Sequence, residues 1–320
     1  MEGLVVRNTG YSYRVRSNEG ALFDCKVKGN FRLKGIRSTN PVAVGDHVTF
    51  YAEQTEGKEQ QGWITELHDR RNYIIRRASN LSAQSHILAA NVDRVLLTVT
   101  VNYPETSTTF IDRVLATAEA YRIPVIIAIN KMDRYDEAER RFAEGLRTLY
   151  ESLGYAVRLL SALQPDEEFA ALQQELSHGV TLLSGNSGVG KSTLLNLLIP
   201  DADQKTAEIS DAHNTGMHTT TFSEMFQLKK NVENKEDADG WIIDTPGVKG
   251  FGTFDMEREE VGHYFREIFH YSHDCRYGNC LHLQEPGCAV RPAVDEHLIA
   301  ASRYNSYLSM LEDKEESKYR

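Results

Sequence analysis

Long apolar runs are missing from this sequence. No stretch approaches the roughly 18 consecutive apolar residues of a membrane-spanning helix, and the start, Met1-Glu2-Gly3-Leu4-Val5-Val6-Arg7, has neither the basic cluster nor the apolar core of a secretory signal. A helical membrane protein is therefore excluded, no membrane partner is expected, and the cytoplasm is the expected compartment. Positive charge is in deficit, with 36 Lys and Arg against 46 Asp and Glu and a net charge of −10. A surface that grips nucleic acid over its whole extent is usually basic, which argues against the chain as a whole being a nucleic-acid clamp. Cysteine is scarce at four residues, and in a chain read as cytoplasmic these do not suggest a disulfide scaffold.

What is present is an ordinary globular composition, 41% hydrophobic and 26% charged over 320 residues, long enough for two or three domains. The charge is uneven. Residues 1–80 carry 13 Lys and Arg against 9 Asp and Glu, whereas the remainder carries 23 against 37, so only the N-terminal part has a balance suited to RNA. Short alternating runs at 4–16, 21–28, 46–52 and 62–67, punctuated by Gly and Asn, predict a small all-β domain. An OB-like barrel is the leading reading, and an SH3-like barrel would look much the same. The Arg70-Arg71 and Arg76-Arg77 pairs around Asn72-Tyr73-Ile74-Ile75 mark the passage into the next domain. From residue 92, apolar strands (92–101, 124–129, 156–160, 180–183, 222–228, 241–243) alternate with helical patterns (111–121, 137–153, 167–176, 191–199). That alternation predicts a parallel sheet wrapped by helices. After about residue 251 the pattern turns helical, is interrupted by a Cys/His cluster, and closes with a helix near 295–311 before a charged, frayed end at 312–320.

Gly185-Asn186-Ser187-Gly188-Val189-Gly190-Lys191-Ser192 fits the P-loop pattern and stands between an apolar strand and an apolar helix. Its glycines let successive backbone N–H groups turn inward around phosphates, and the helix adds the positive end of its dipole. Lys191 would neutralise the β- and γ-phosphates, and Ser192 would ligate Mg²⁺. The base is chosen elsewhere. Asn130-Lys131-Met132-Asp133 follows the strand Val125-Ile126-Ile127-Ala128-Ile129. A carboxylate at Asp133 accepts two hydrogen bonds from guanine's ring N–H and amine, a donor pair that adenine lacks. Ser161-Ala162 fits the companion loop whose backbone N–H meets the guanine oxygen.

Asp244-Thr245-Pro246-Gly247 ends another strand. Asp244 is placed there to hold the Mg²⁺ shell through water, and the Gly247 N–H to sense the γ-phosphate. Between it and the P-loop lies Gly216-Met217-His218-Thr219-Thr220-Thr221, a polar segment in which one threonine can close on Mg²⁺ when the γ-phosphate is bound. Ras-type GTPases orient the attacking water with a Gln soon after the second switch. Here that stretch reads Val248-Lys249-Gly250-Phe251-Gly252, without one. Intrinsic turnover is therefore expected to be slow, and His218 is the nearest polar candidate to polarise water.

The base-recognition motifs precede the P-loop, and the two switches follow it, so the usual GTPase order is circularly permuted. A fold tolerates a new cut where the new ends reach the surface. The permutation leads the second switch straight into the C-terminal part, where nucleotide-dependent movement could be passed on as domain rotation. There Cys275, Cys280, His282 and Cys288 supply three thiolates and an imidazole, a set that satisfies tetrahedral Zn²⁺ in a closed structural site. His263, His270, His273 and His297 read as surface or supporting residues, and Cys25 as a buried small hydrophobe.

The permuted order, the P-loop run ending in Ser192-Thr193, His218-Thr219-Thr220-Thr221, Asp244-Thr245-Pro246-Gly247 and the Cys/His cluster closely resemble the bacterial RsgA (YjeQ/YloQ) GTPases. The resemblance spans all three inferred domains. It implies an RNA-binding N-terminal OB-fold (1–70), a circularly permuted α/β P-loop GTPase domain (71–250) and a mainly helical zinc-binding domain (251–320). It also implies GTP and GDP with Mg²⁺ as ligands, contacted by the P-loop through Thr193 and by Thr220 and Thr221 of the first switch, and one structural Zn²⁺. GTP hydrolysis stimulated by the ribosome, a role in late maturation of the small (30S) subunit with rRNA contact, and His218 as the switch histidine belong to the same implication. A monomer is the working expectation. The rival class is an RNA- or ribosome-binding module in which turnover is incidental. A large-subunit GTPase is disfavoured by the N-terminal β domain and the zinc cluster, and an ATPase by Asn130 and Asp133.

Overall fold

Alternation of inward apolar and outward polar residues produces the N-terminal strands β1 (Glu2–Asn8), β2 (Tyr13–Ser17), β3 (Leu22–Val27), β4 (His47–Glu53) and β5 (Gln61–Leu67). They belong to a computed structural model that describes residues 1–27, 41–53, 60–77, 85–200, 223–228, 239–245 and 256–318. The run at 4–16 is two antiparallel strands joined by a turn in which Thr9 N–H donates to Ser12 O at 3.0 Å. The strands pair in the order β1-β2-β3-β5-β4, and β4 returns to β1. This closure, with β3 and β5 parallel, makes a five-stranded OB-type barrel and decides against the SH3-like alternative. Val5, Val15, Phe23, Cys25, Val48, Phe50 and Ile64 fill its interior, so Cys25 is the buried apolar residue expected of it.

The passage out of the barrel is more structured than a boundary marker. β6 (Tyr73–Arg77) and β7 (Ser85–Ala90) pair as an antiparallel hairpin. Its Ile74, Leu88 and Ala89 join Val6 and Val44 from the barrel in the central core. Arg70 is buried, donating from Nε and Nη2 to the two carboxylate oxygens of Asp46 at 2.7 and 2.6 Å. Nothing local in the sequence marks that pair, because the two residues are brought together across 24 positions.

Beyond it, β8 (Arg94–Val99), β9 (Val125–Ile129), β10 (Ala156–Leu159), β11 (Val180–Ser184) and β13 (Trp241–Asp244) form a parallel sheet in the order β10-β9-β8-β11-β13. Successive residues of a strand face opposite sides. Val95, Leu97 and Val99 accordingly pack in one core with α1 (Thr108–Ala120) and α2 (Glu137–Ser152). Leu96 packs in the other with α3 (Glu167–Leu176) and α4 (Lys191–Leu198). Ser107, Asp136 and Asp166 cap α1, α2 and α3 by accepting from first-turn N–H groups. β12 (Ser223–Gln227) runs antiparallel beside β13 and also pairs with β1 of the barrel. Barrel and α/β unit therefore share one 11-stranded sheet.

The C-terminal unit comprises a 3-10 turn (Arg258–Tyr264), α5 (Arg266–Ser272), α6 (Val290–Asp295) and α7 (Ala301–Lys318). The helix predicted near 295–311 instead begins at Ala301, because His297 adopts φ +61° and Leu298 N–H turns back to Ala293 O. It also runs on through the charged residues expected to fray. Arg113 of α1 donates to Asp313 at 2.5 Å and to Ser309 Oγ at 2.8 Å, docking α7 onto α1.

Deeper in the same seam, Arg303 is 1% exposed. It donates to Glu267 of α5 at 2.6 and 3.1 Å and to Asp112 of α1 at 2.8 Å. Tyr150 Oη donates to the same Asp112 oxygen at 2.8 Å. Removing one member of such a network strands the others without water. Arg303→Ala is expected to cost about 3 to 5 kcal/mol of stability, read as a large fall in the urea midpoint. A midpoint within experimental error of the parent would contradict this.

Candidate nucleotide and metal sites

The C-terminal ends of the parallel strands gather the motif residues, as open α/β sheets do. β11 delivers the P-loop, and α4 begins at Lys191 directly after it. Gly185 and Gly190 adopt φ +142° and +97°. A Cβ at Gly185 would meet the carbonyl oxygen of Thr98, and one at Gly190 the side-chain amide of Asn130. Glycine is thus required twice, once for the turn and once so that the base motif can reach the loop.

Asn130 makes that reach. Its Nδ2 donates to Val189 O of the P-loop at 2.9 Å, and its Oδ1 accepts from the backbone N–H of Ala162 at 3.0 Å. One amide therefore fastens three segments that lie far apart in the chain. Ser161 Oγ donates to Asp133 Oδ1 at 2.6 Å, fixing the carboxylate of Asp133. Lys131, at φ +69°, donates to Gly188 O at 2.6 Å and to Tyr103 O. Met132 N–H donates to Leu160 O at 3.0 Å, tying the same turn to the end of β10.

On the phosphate side, Lys191 Nζ donates to Gly185 O at 2.8 Å and Asn186 O at 2.6 Å. Asn186, Ser187 and Gly188 form the accessible part of the loop, and Ser192 and Thr193 are exposed in the first turn of α4. Burial holds the Asp244 carboxyl above the usual carboxylate range, with Lys191 opposing and Glu224 adding to the shift. Burial likewise pushes the Lys191 ammonium down, with Asp244 opposing. In both groups desolvation outweighs the attraction between the two opposite charges. The Ser192 hydroxyl and the Asp244 carboxylate are oxygen donors of the kind a hydrated Mg²⁺ takes. His218, Thr220 and Thr221 of the first switch and Gly247 of the second lie outside the described residues, as does the stretch 248–252.

The second cluster is compact. The ligand atoms of Cys275, Cys280, His282 and Cys288 all lie within 4.8 Å of one another. Nδ1 of His282 faces both Cys275 Sγ and Cys288 Sγ at 3.6 Å. Burial raises the Cys280 thiol to about 12, with the neighbouring Cys288 and Cys275 adding to the shift. Three sulfurs and one imidazole nitrogen fit tetrahedral zinc. Among the described residues, no other group joins this cluster. His263 and His273 pack edge-on against Phe269 instead.

Some organising residues had no signal in the sequence. Tyr135 Oη donates to Asn130 O at 2.6 Å and accepts from Val101 N–H at 2.8 Å, which holds the base motif from behind. Glu285 accepts from the N–H groups of Leu281, Leu283 and Gln284 at 2.8 to 3.1 Å and shapes the loop that carries the Cys/His cluster. Each acts through a loop conformation, and loop conformations are not legible from residue type.

Known proteins share this arrangement along the whole chain. The RsgA GTPase domain profile matches residues 67–254, and the RsgA N-terminal domain profile matches residues 2–64. A small ribosomal subunit biogenesis GTPase RsgA from Bacteroides fragilis is 63% identical over 320 residues, covering 100% of this chain and 99% of the relative. Its counterpart from Phocaeicola vulgatus is 61% identical over 323 residues, with the same coverage. Among solved structures, YjeQ from Thermotoga maritima superposes with a TM-score of 0.72 at 32% identity, covering 98% of this chain and 97% of its own. YloQ, described as a circularly permuted GTPase, gives 0.71 at 29% identity, covering 100% and 96%. With the P-loop, the guanine motif and the barrel in the same permuted order, the chain belongs to the RsgA GTPase family.

Proposed function

We propose that this chain hydrolyses GTP to GDP and phosphate with Mg²⁺ and uses that reaction in late maturation of the small ribosomal subunit, touching rRNA through its barrel. The observation that carries the nucleotide reading is Asn130, whose single amide joins the P-loop to the Ser161-Ala162 loop. Guanine would then lie against Asp133, with the Ala162 N–H, held here by Asn130 Oδ1, turning to the guanine oxygen when the base binds. The backbone of residues 185–190, Lys191 and Ser192 would take the phosphates and Mg²⁺, with Thr193 adjoining, and Asp244 would hold the ion's water shell. Gly247 and one of Thr220 and Thr221 would complete the γ-phosphate side. The functional division is 1–70 for RNA, 71–250 for nucleotide and 251–320 for the zinc unit, acting as a monomer in the cytoplasm. Support for the subunit comes from the names of the relatives, and the basic excess before residue 80 suits the barrel to RNA.

The test is turnover and co-sedimentation with separated ribosomal subunits, with GDP or a non-hydrolysable GTP analogue. Hydrolysis should rise by orders of magnitude with small subunits alone. An equal response to large subunits, or none, would reject the assignment. His218 is the candidate to polarise the attacking water. His218→Ala should cut stimulated turnover by about a hundredfold while leaving GTP affinity and subunit binding near the parent values. A wild-type stimulated rate would remove His218 from that role, and a parallel loss of binding would make it a docking residue.

One Zn²⁺ per chain is expected in the Cys275, Cys280, His282 and Cys288 site. Its four protein ligands give it a structural role, because no position is left open for a reacting water. Cys280→Ala or His282→Ala should release the metal and destabilise the C-terminal unit by several kcal/mol. Elemental analysis paired with melting curves reads both effects. Metal-free protein with an unchanged melting profile would refute the claim.

A further inference from the structure

The shared sheet carries a row of facing residues from the nucleotide side to the barrel's outer surface. Asp244 on β13 stands opposite Glu224 on β12, and Glu224 stands opposite Arg7 on β1. Arg7 in turn faces Arg14 on β2, and Arg14 faces Asp24 on β3. Residues paired in this way project from the same face with Cβ atoms about 5 Å apart. Glu224 therefore presents its carboxylate beside that of Asp244, and Arg7 flanks it from the other side. Arg7 Nε lies 3.9 Å from Glu224 Oε2, with the two side chains 34% and 18% exposed. Screening by solvent is partial at that depth, so the charges are felt along the row. Neither residue belongs to a nucleotide motif, and Arg7 comes from a different folding unit.

We propose that Glu224 is a positioning residue for the magnesium side of the nucleotide site, and that Arg7 of the barrel sets how much of its negative charge Asp244 and the ion experience. The proposal rests on the assignment of Asp244 to the Mg²⁺ shell. Arg7, 3.9 Å away, offsets part of the field of Glu224. With Arg7 drawn away, two carboxylates stand together and the site holds a divalent cation more tightly. Arg7 also lines a pocket of about 410 Å³ on the barrel, together with Arg14, Asp24, Lys26, Glu53 and Trp63. An anionic group seated there shares Arg7 with Glu224, so occupancy of the barrel face reaches the nucleotide site as a change of charge.

The experiment titrates Mg²⁺ into the full-length chain with a fluorescent non-hydrolysable GTP analogue and reads the midpoint. Glu224→Gln should raise the Mg²⁺ needed by about threefold to tenfold, and Arg7→Gln should lower it by a similar factor. The double variant should fall between the two single variants, because the fields of fixed charges add. Melting curves accompany each variant. A lowered melting point with no shift of midpoint would make the pair a strand clamp and overturn the proposal. So would an Arg7→Gln variant that needs as much Mg²⁺ as the parent. If Glu224→Gln does not fold, the Arg7→Gln shift decides alone, its absence being the overturning result. A parent protein whose nucleotide binding ignores Mg²⁺ would overturn the assignment of Asp244 as well, whereas a Mg²⁺-dependent parent with unmoved variants overturns this inference only.

Discussion

GTP turnover by a Lys191→Ala variant is expected to fall by a factor on the order of a thousand or more, with the fold retained. Phosphoryl transfer offers a protein little covalent work, so the rate comes from charge placed where charge develops. Lys191 is the cation of the phosphate loop, held by the carbonyls of Gly185 and Asn186 and set against Asp244. Alanine has no reach to replace it. The side chain belongs to none of the hydrophobic clusters, and alanine is a good helix former at the start of α4. The melting profile should therefore stay near that of the parent. Single-turnover hydrolysis with small subunits present is the measurement. Turnover surviving at even a tenth of the parent rate would mean that the phosphate site lies elsewhere.

An Asp133→Asn variant is expected to lose on the order of a hundredfold in GTP affinity and to gain affinity for xanthosine triphosphate. The carboxylate would accept from guanine's ring N–H and its exocyclic amine, whereas an amide presents a donor to that amine and leaves it unpaired. Xanthine carries an oxygen where guanine carries that amine, so the amide finds a partner again. Ser161 Oγ at 2.6 Å from Asp133 Oδ1 holds the group in one orientation, which sharpens the preference. Competition binding with the two nucleotides gives the ratio directly. Equal GTP affinity in parent and variant would take Asp133 out of base recognition.

The parallel strands, their helices and the two motif sets were legible because each follows from a local pattern. Short, largely apolar stretches before Gly185, Asn130, Ser161 and Asp244 point to buried parallel strands. A Cys/His cluster within 14 residues of sequence likewise announces itself by composition. The barrel was legible as a class only, since alternation gives strands and not their order. The return of β4 to β1 and the parallel β3–β5 pair settled which barrel it is.

The sequence by itself determined the strand and helix spans of the α/β unit, the P-loop and N-K-x-D motifs and the Cys/His set, because in each the pattern depends on residues close together in the chain. Tertiary structure alone decided that Asn130 would bind two other motifs at once, that Arg70 would pair with Asp46 and Arg303 be buried between Asp112 and Glu267, and that β12 would join the barrel to the nucleotide sheet. These are pairings between residues that are distant in sequence. An isolated arginine reads as a surface charge until the fold removes its water and supplies its partner.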